Sequence, residues 1–189
     1  FKSKYAISKI NGENEIKKIF NKSVILKPSL VYSVDDKFTT MLMSLLKLSP
    51  IFPLYYEGKT SFYPIHVVDI CEIIENIISN QLTSETIECI GPEKMTFKEI
   101  VKKLMIALEI KRFLIPIPLF AANIIASFFE LTMRNPFLTR DQLVLLNHDN
   151  VPSGNYKTNL EYSFNSNLKI FHTMLQNYFT FYLMLIQHS

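Results

Sequence analysis

Glycine is scarce in this sequence. Gly12, Gly58, Gly91 and Gly154 are the only ones in 189 residues, and they do not cluster. That excludes from the chain a glycine-rich loop of the kind that cradles phosphates with backbone N–H groups at a helix N-terminus. Cysteine is thinner still. Cys71 and Cys89 both sit within apolar periodic runs, which reads as two buried free thiols in a reducing compartment rather than a disulfide framework. There is no CxxC, HExxH or paired-histidine spacing, since the histidines stand at 66, 148, 172 and 188. No metal site is expected. Charge of one sign is in slight excess, at +3, and residues 1–27 hold seven lysines against Glu13 and Glu15. Aromatic residues do not interleave with these lysines. A solvated helix face is therefore favoured over a nucleic-acid surface, and no nucleic-acid partner is expected. The longest apolar run, FLIPIPLFAANIIASFF at 113–129, contains two prolines, an Asn and a Ser. It reads as a short strand, a turn and a buried or interfacial helix rather than a membrane span. No signal peptide is visible, and Phe1 in place of a start residue gives the expectation of a cut N-terminus.

What is present is a globular composition, 48% hydrophobic and 20% charged. Ile7, Ile10, Ile16, Ile19 and Phe20 recur at helical spacing over 2–20. Ser23–Lys27 is a short buried strand stopped by Pro28, and 35–47 opens with two aspartates as a helix does. Leu54–Tyr56 and Phe62–Val67 flank Glu57-Gly-Lys-Thr60, which predicts a hairpin-like pair. Asp69 stands where it can N-cap a following helix, and Thr86–Ile90 reads as a strand closed by Gly91-Pro92. Thr96-Phe-Lys-Glu99 is a capping box opening a helix to about Glu109. A strand at 113–116, helices at 119–132 and 139–146, a polar loop at 147–168 and a helix over about 171–186 complete the reading. Strands alternating with helices imply an α/β fold with a mostly parallel sheet.

Tyr5 and Lys9 lie four residues apart, on one face of the first helix. A cation beside a phenol favours its ionised form, so the tyrosine can exchange a proton with a substrate hydroxyl or carbonyl. Spacing alone leaves an ordinary exposed pair as the alternative.

The order YAISK, VILKPSLVY, a Gly-Lys-Thr turn, PIHVVDI and IGPEKMTFKEI resembles the C-terminal half of an extended short-chain dehydrogenase/reductase, in the NAD(P)-dependent epimerase/dehydratase class. FPLYYEGKTSFYPIHVVDI, LIPIPLFAANIIASFFEL and LTRDQLVLLNHDNV resemble its atypical branch, typified by the nucleotide-binding accessory subunit of respiratory complex I. The resemblance covers about residues 1–160. It implies the C-terminal part of a Rossmann fold (1–34) and a small mixed α/β substrate-side subdomain (35–160) interleaved with the last Rossmann elements, followed by a helical tail (161–189). It implies Tyr5 and Lys9 as the catalytic pair, with Lys9 also meeting the nicotinamide ribose. Pro28, Ser29, Leu30 and Val31 form the loop beside the nicotinamide, and His66 and Phe62 lie on the substrate side.

Two positions depart from the family pattern. Ser61 or Phe62 falls where nucleotide-sugar enzymes carry an arginine for the diphosphate, and neither pairs with phosphate as an arginine fork does. Ser33 replaces the glycine of the usual VYG turn. The implied cofactor is NADP or NAD, with NADPH the expected form and its site incomplete in this chain. The implied role is dinucleotide binding in support of complex I structure and assembly, with complex I subunits as partners. The implied place is cytoplasmic or on the matrix side of a mitochondrion, peripheral at the inner or plasma membrane. An active reductase, epimerase or dehydratase acting on a small or lipid-like substrate is the alternative. A membrane-associated structural protein is a third.

Overall fold

The computed structural model describes residues 3–134, 136, 138–164, 168–171 and 173–176. The chain begins with α1 (Lys4–Ile19), β1 (Ile25–Pro28), β2 (Val31–Tyr32) and α2 (Lys37–Leu48). β3 (Ile51–Leu54), a 3-10 turn (Tyr55–Gly58), β4 (Ser61–Phe62), β5 (Ile65–His66) and α3 (Val67–Ser79) follow. Next come β6 (Thr86–Cys89), β7 (Met95–Thr96), α4 (Phe97–Ala107), β8 (Phe113–Pro116), α5 (Leu119–Thr132), α6 (Arg140–Leu146) and β9 (Lys157–Thr158). The helical tail expected at 171–186 lies mostly outside the described residues, as do His172 and His188.

The fold is mixed α/β with parallel pairing dominant. β1, β6 and β9 form a three-stranded parallel sheet, with Ile25 opposite Thr86 and Pro28 opposite Cys89. β2 pairs with β5 and β3 with β8, both parallel, and β4 pairs antiparallel with β7. These ladders join residues 33 to 70 apart in sequence. The crossings between them are helices, as parallel neighbours require.

Two apolar clusters hold these layers. The larger packs Leu42 and Leu46 of α2, Phe52 and Leu54 of β3, and Ile100 and Leu104 of α4 around Tyr32. The smaller packs Ile73 and Ile77 of α3 onto Ile87 and Cys89 of β6. Each such fully buried aliphatic side chain contributes about 1.5–3 kcal/mol of transfer free energy.

Several local expectations change. The segments around Glu57–Thr60 do not pair with each other. Tyr56, Glu57 and Gly58 have positive φ and wind the chain through a tight turn, while the flanking strands find partners in β8 and β7. Asp69 is not the cap of α3. His66 is: its Nδ1 accepts from Val68 N at 3.2 Å. Asp69 lies in the first turn, fully buried, and its Oδ2 accepts from Lys169 N at 3.0 Å. Cys71 is exposed and only Cys89 is buried. Residue 71 sits about 100° around α3 from Ile70, off the inward stripe of Ile70, Ile73 and Ile77. Burial pushes the Cys89 thiol up to about 12, so it stays protonated. The polar stretch after 147 contains β9, too short to leave a periodic signal.

Two threonine-led helix starts match their sequence signals. Thr96 and Glu99 form a reciprocal capping box at α4, and Thr139 and Gln142 form a second at α6. Among the described residues no helix is long and apolar enough to cross a membrane. Helix α1 buries none of its side chains, and α5 leaves Phe120, Ile124 and Phe128 exposed at i, i+4, i+8 spacing.

Candidate functional site

Helix α1 is fixed at its start. Ser3 is its buried N-cap, accepting from Ala6 N at 3.2 Å and donating through Oγ to Asp141 Oδ2 at 2.9 Å. The same carboxylate accepts from Lys4 N at 2.8 Å and Tyr5 N at 3.4 Å. Unpaired N–H groups at a helix start carry partial positive charge, and an acid from α6 meets them here. Burial alone raises the Asp141 carboxyl. The hydrogen bonds from Ser3, Lys4 and Tyr5, with the nearby Lys4 charge, outweigh that and hold it below its ordinary value. Farther along, Glu13 pairs with Lys27 of β1 at 2.9 Å.

This clamp sets Tyr5 on the wall of a cleft of about 380 Å³. Phe38, Met41, Leu42 and Leu45 of α2 line it, with Phe52, Phe62 and Phe97 behind them. Gln142, Leu145 and Leu146 of α6 and the following His148, Asp149 and Asn150 close the other side. The 148–150 segment is pinned to β4: Ser61 N donates to Asp149 Oδ1 at 2.7 Å, and Asn150 N donates to Ser61 O at 2.8 Å. Thr60 Oγ1 donates to Leu146 O. Tyr55 also reaches the cleft, and burial pushes its phenol up to about 12, so it is a neutral hydroxyl.

The residues expected at the site separate into three places. Tyr5 and Phe62 both line the cleft. Lys9 is exposed on α1, its Nζ 5.6 Å from the Tyr5 ring centroid, so the two do share a face. Pro28, Ser29, Leu30 and Val31 lie behind the wall, at the C-terminal end of β1. Ser29 N donates to Cys89 O at 2.9 Å; its Oγ donates to Asn150 O at 2.9 Å and accepts from Tyr63 N at 3.0 Å. Leu30 O accepts from Ile65 N at 2.9 Å. This loop thereby ties the parallel sheet to the cleft-lining 148–150 segment. His66 is buried beside Tyr32, ring centroids 5.1 Å apart, and is not among the cleft residues. Burial lowers its pKa, Asp69 counteracts, and Lys169 adds to the lowering. Ser33, in place of the turn glycine, fits without distortion: its N–H donates to Asp36 Oδ2 at 3.2 Å, and Asp36 caps α2.

Met41, Leu45, Tyr55, Gln142, His148, Asp149 and Asn150 were not anticipated at the site. The run LTRDQLVLLNHDNV marked the family, but no local pattern tells which of its residues face a cavity.

No family model matches the chain. It is 27% identical over 144 residues, 75% of its length, to the mouse protein "NADH dehydrogenase [ubiquinone] 1 alpha subcomplex subunit 9, mitochondrial". It is 26% identical over 153 residues, 80% of its length, to the Neurospora crassa "NADH-ubiquinone oxidoreductase 40 kDa subunit, mitochondrial". The chain is thus similar to complex I accessory subunits. It spans 38% and 40% of those two relatives. Solved structures share the fold. A Bacillus anthracis dTDP-glucose 4,6-dehydratase in complex with NAD superposes at TM-score 0.61 and 18% identity, over 96% of this chain and 52% of its own. A dTDP-4-dehydrorhamnose reductase from the same species, in complex with NADP, does so at 0.59 and 17%, over 93% and 54%. Tyr5 and Lys9 stand four residues apart on α1, and β1 is the strand that follows.

Proposed function

We propose that this chain is the substrate-side part of an NAD(P)-binding accessory protein of respiratory complex I, in which the dinucleotide serves structure and assembly. The similarity to complex I subunits over three quarters of the chain carries this reading. Phe62 supports it. It or its equally buried neighbour Ser61 stands where a nucleotide-sugar enzyme needs a cation, so the cleft is not built for a sugar diphosphate. The partners are complex I subunits, and the place is the matrix side of a mitochondrion, peripheral at the inner membrane.

The residues present fit the nicotinamide end of NADP or NAD, NADPH being the expected form. β1 runs parallel in its sheet, and ligands of such sheets sit beyond the carboxyl ends of the strands, which here is Pro28–Val31. Tyr5 and Lys9 would meet the nicotinamide ribose. The four dispersed glycines offer nothing to the pyrophosphate. When bound, the nicotinamide supplies hydride chemistry.

A second reading, an active reductase, epimerase or dehydratase, is favoured by one observation. The Tyr5 side chain lines the cleft, where it can give or take a proton at a bound hydroxyl or carbonyl. The experiment separating the two is native electrophoresis of mitochondrial membranes carrying a tagged copy. Co-migration with complex I is expected. A freely soluble protein whose nicotinamide-dependent turnover is lost on Tyr5→Phe would overturn the assembly role.

A further inference from the structure

The geometry points to the cleft as a binding site for an uncharged, elongated apolar molecule ending in a hydroxyl or carbonyl group. This rests on the reading of the chain as the substrate side of a dinucleotide-binding protein, and names what that side takes. The volume, about 380 Å³, falls within the roughly 300–1,000 Å³ of small-molecule sites. The wall supplied by α2, β3 and α4 is wholly apolar: Phe38, Met41, Leu42, Leu45, Phe52, Pro53 and Phe97. The polar groups are Tyr55 of the 3-10 turn, Tyr5 of α1, and Gln142, His148, Asp149 and Asn150 of α6 and the segment that follows it. Among the described residues lining the cleft there is no lysine or arginine, and one carboxylate, Asp149, is present.

Charge decides the ligand class. A phosphate or carboxylate entering here would lose water without gaining a cation, and would meet the Asp149 carboxylate. A hydroxyl or ketone needs one or two neutral hydrogen-bond partners, which Tyr5, Gln142 and Asn150 offer. A flexible alkyl chain fills the α2 wall, each buried methylene strengthening binding roughly fourfold.

The test is calorimetric titration of the full chain with octan-2-one, decan-2-one and dodecan-2-one, and with dodecanoate as the charged counterpart. Affinity is expected to rise roughly fourfold per methylene until the cleft is full, and dodecanoate to bind at least tenfold more weakly than dodecan-2-one. Met41→Trp and Leu145→Trp, each filling the cleft from half-buried positions on different helices, are expected to weaken the ketone at least tenfold. His148→Lys, at an exposed position, is expected to reverse the preference toward dodecanoate. Absence of ketone binding, equal binding of the anion, no chain-length dependence, or unchanged ketone affinity in both correctly folded tryptophan variants overturns the proposal. Co-migration with complex I without ketone binding removes this proposal alone. Ketone binding without co-migration removes the assembly reading alone.

Discussion

Gly91 shows how one residue can be dictated by its surroundings. A Cβ there would lie 1.7 Å from Pro64 O and 2.6 Å from Pro64 C, both backbone atoms that cannot swing aside. Its N–H donates to Tyr63 O at 3.2 Å, so this close approach helps hold the β5 segment against the end of β6. Gly91→Ala is expected to destabilise the fold by about 3 kcal/mol, the upper end of ordinary overpacking, measured by urea unfolding. A loss under about 0.5 kcal/mol would show that the two segments separate readily. His66 gives a residue-level pH dependence. Burial holds its folded pKa below 6.5, with Asp69 and Lys169 as the charged neighbours. Between 6.5 and that lower value the unfolded chain binds more protons. His66 therefore contributes stability that is present above 6.5 and lost as pH falls through the folded value. Burial raises Asp69, which acts oppositely: its contribution is present below 3.8 and lost as pH rises through its folded value. His66→Asn keeps a capping side chain and removes the titration. The variant is expected to lose less stability than the parent between pH 7.5 and 5, and identical slopes would discard the assignment.

At the scale of elements, α1 hangs on few contacts. No side chain of the helix is buried, and its start depends on Asp141. Asp141→Ala should lower hydrogen-exchange protection of the α1 amides roughly tenfold while leaving α4 unchanged, a modest effect because the site is close to solvent. The depressed carboxyl works in the same direction. Its stabilisation is present above 3.8 and lost as pH falls through the lower folded value. Equal protection in parent and variant would mean that contacts farther along, the Glu13–Lys27 pair and Lys17 over the Tyr156 ring, hold the helix. Elements with strong local chemistry were legible in the sequence: α5 falls on 119–132, and both Thr-initiated helices begin at their capping boxes. What failed was partner choice. The 54–67 region has hairpin composition, but its strands pair with 113–116 and 95–96, because burying Phe52 and Leu54 against α2 and α4 outweighs a local turn. Asp69 was misplaced because His66 can also cap through Nδ1, and nothing in the spacing ranks the two. The site was half legible for the same reason. Tyr5 and Phe62 fall within segments that carry the resemblance, whereas the cleft brings together residues 5, 38–62, 97 and 138–150, a juxtaposition made only by the tertiary fold.

At the scale of the whole molecule, cofactor binding divides into two unequal parts. On the proposed reading the nicotinamide end asks for a tyrosine, a lysine and a strand end, which Tyr5, Lys9 and Pro28–Val31 would provide. The pyrophosphate end asks for backbone N–H groups converging at a helix start behind a run of glycines. Gly12 lies within α1, Gly58 serves the turn before β4, Gly91 is packed on Pro64, and Gly154 lies in the loop before β9. None of them opens such a turn. The pyrophosphate is anionic, and without its cradle that charge would face solvent or the cleft, whose lining includes Asp149 and, among the described residues, no lysine or arginine. Calorimetric titration of this chain with NADPH is therefore expected to show no binding at low-micromolar concentration. Adding a separately expressed glycine-rich nucleotide half of a related protein is expected to restore it, and Lys9→Ala to weaken the restored affinity. The effect of Lys9→Ala distinguishes a chain that contributes its own nicotinamide-side residues from one that merely tolerates a nucleotide held elsewhere. Low-micromolar NADPH binding by the chain alone would overturn the division, and would require a phosphate site among residues that carry no glycine turn.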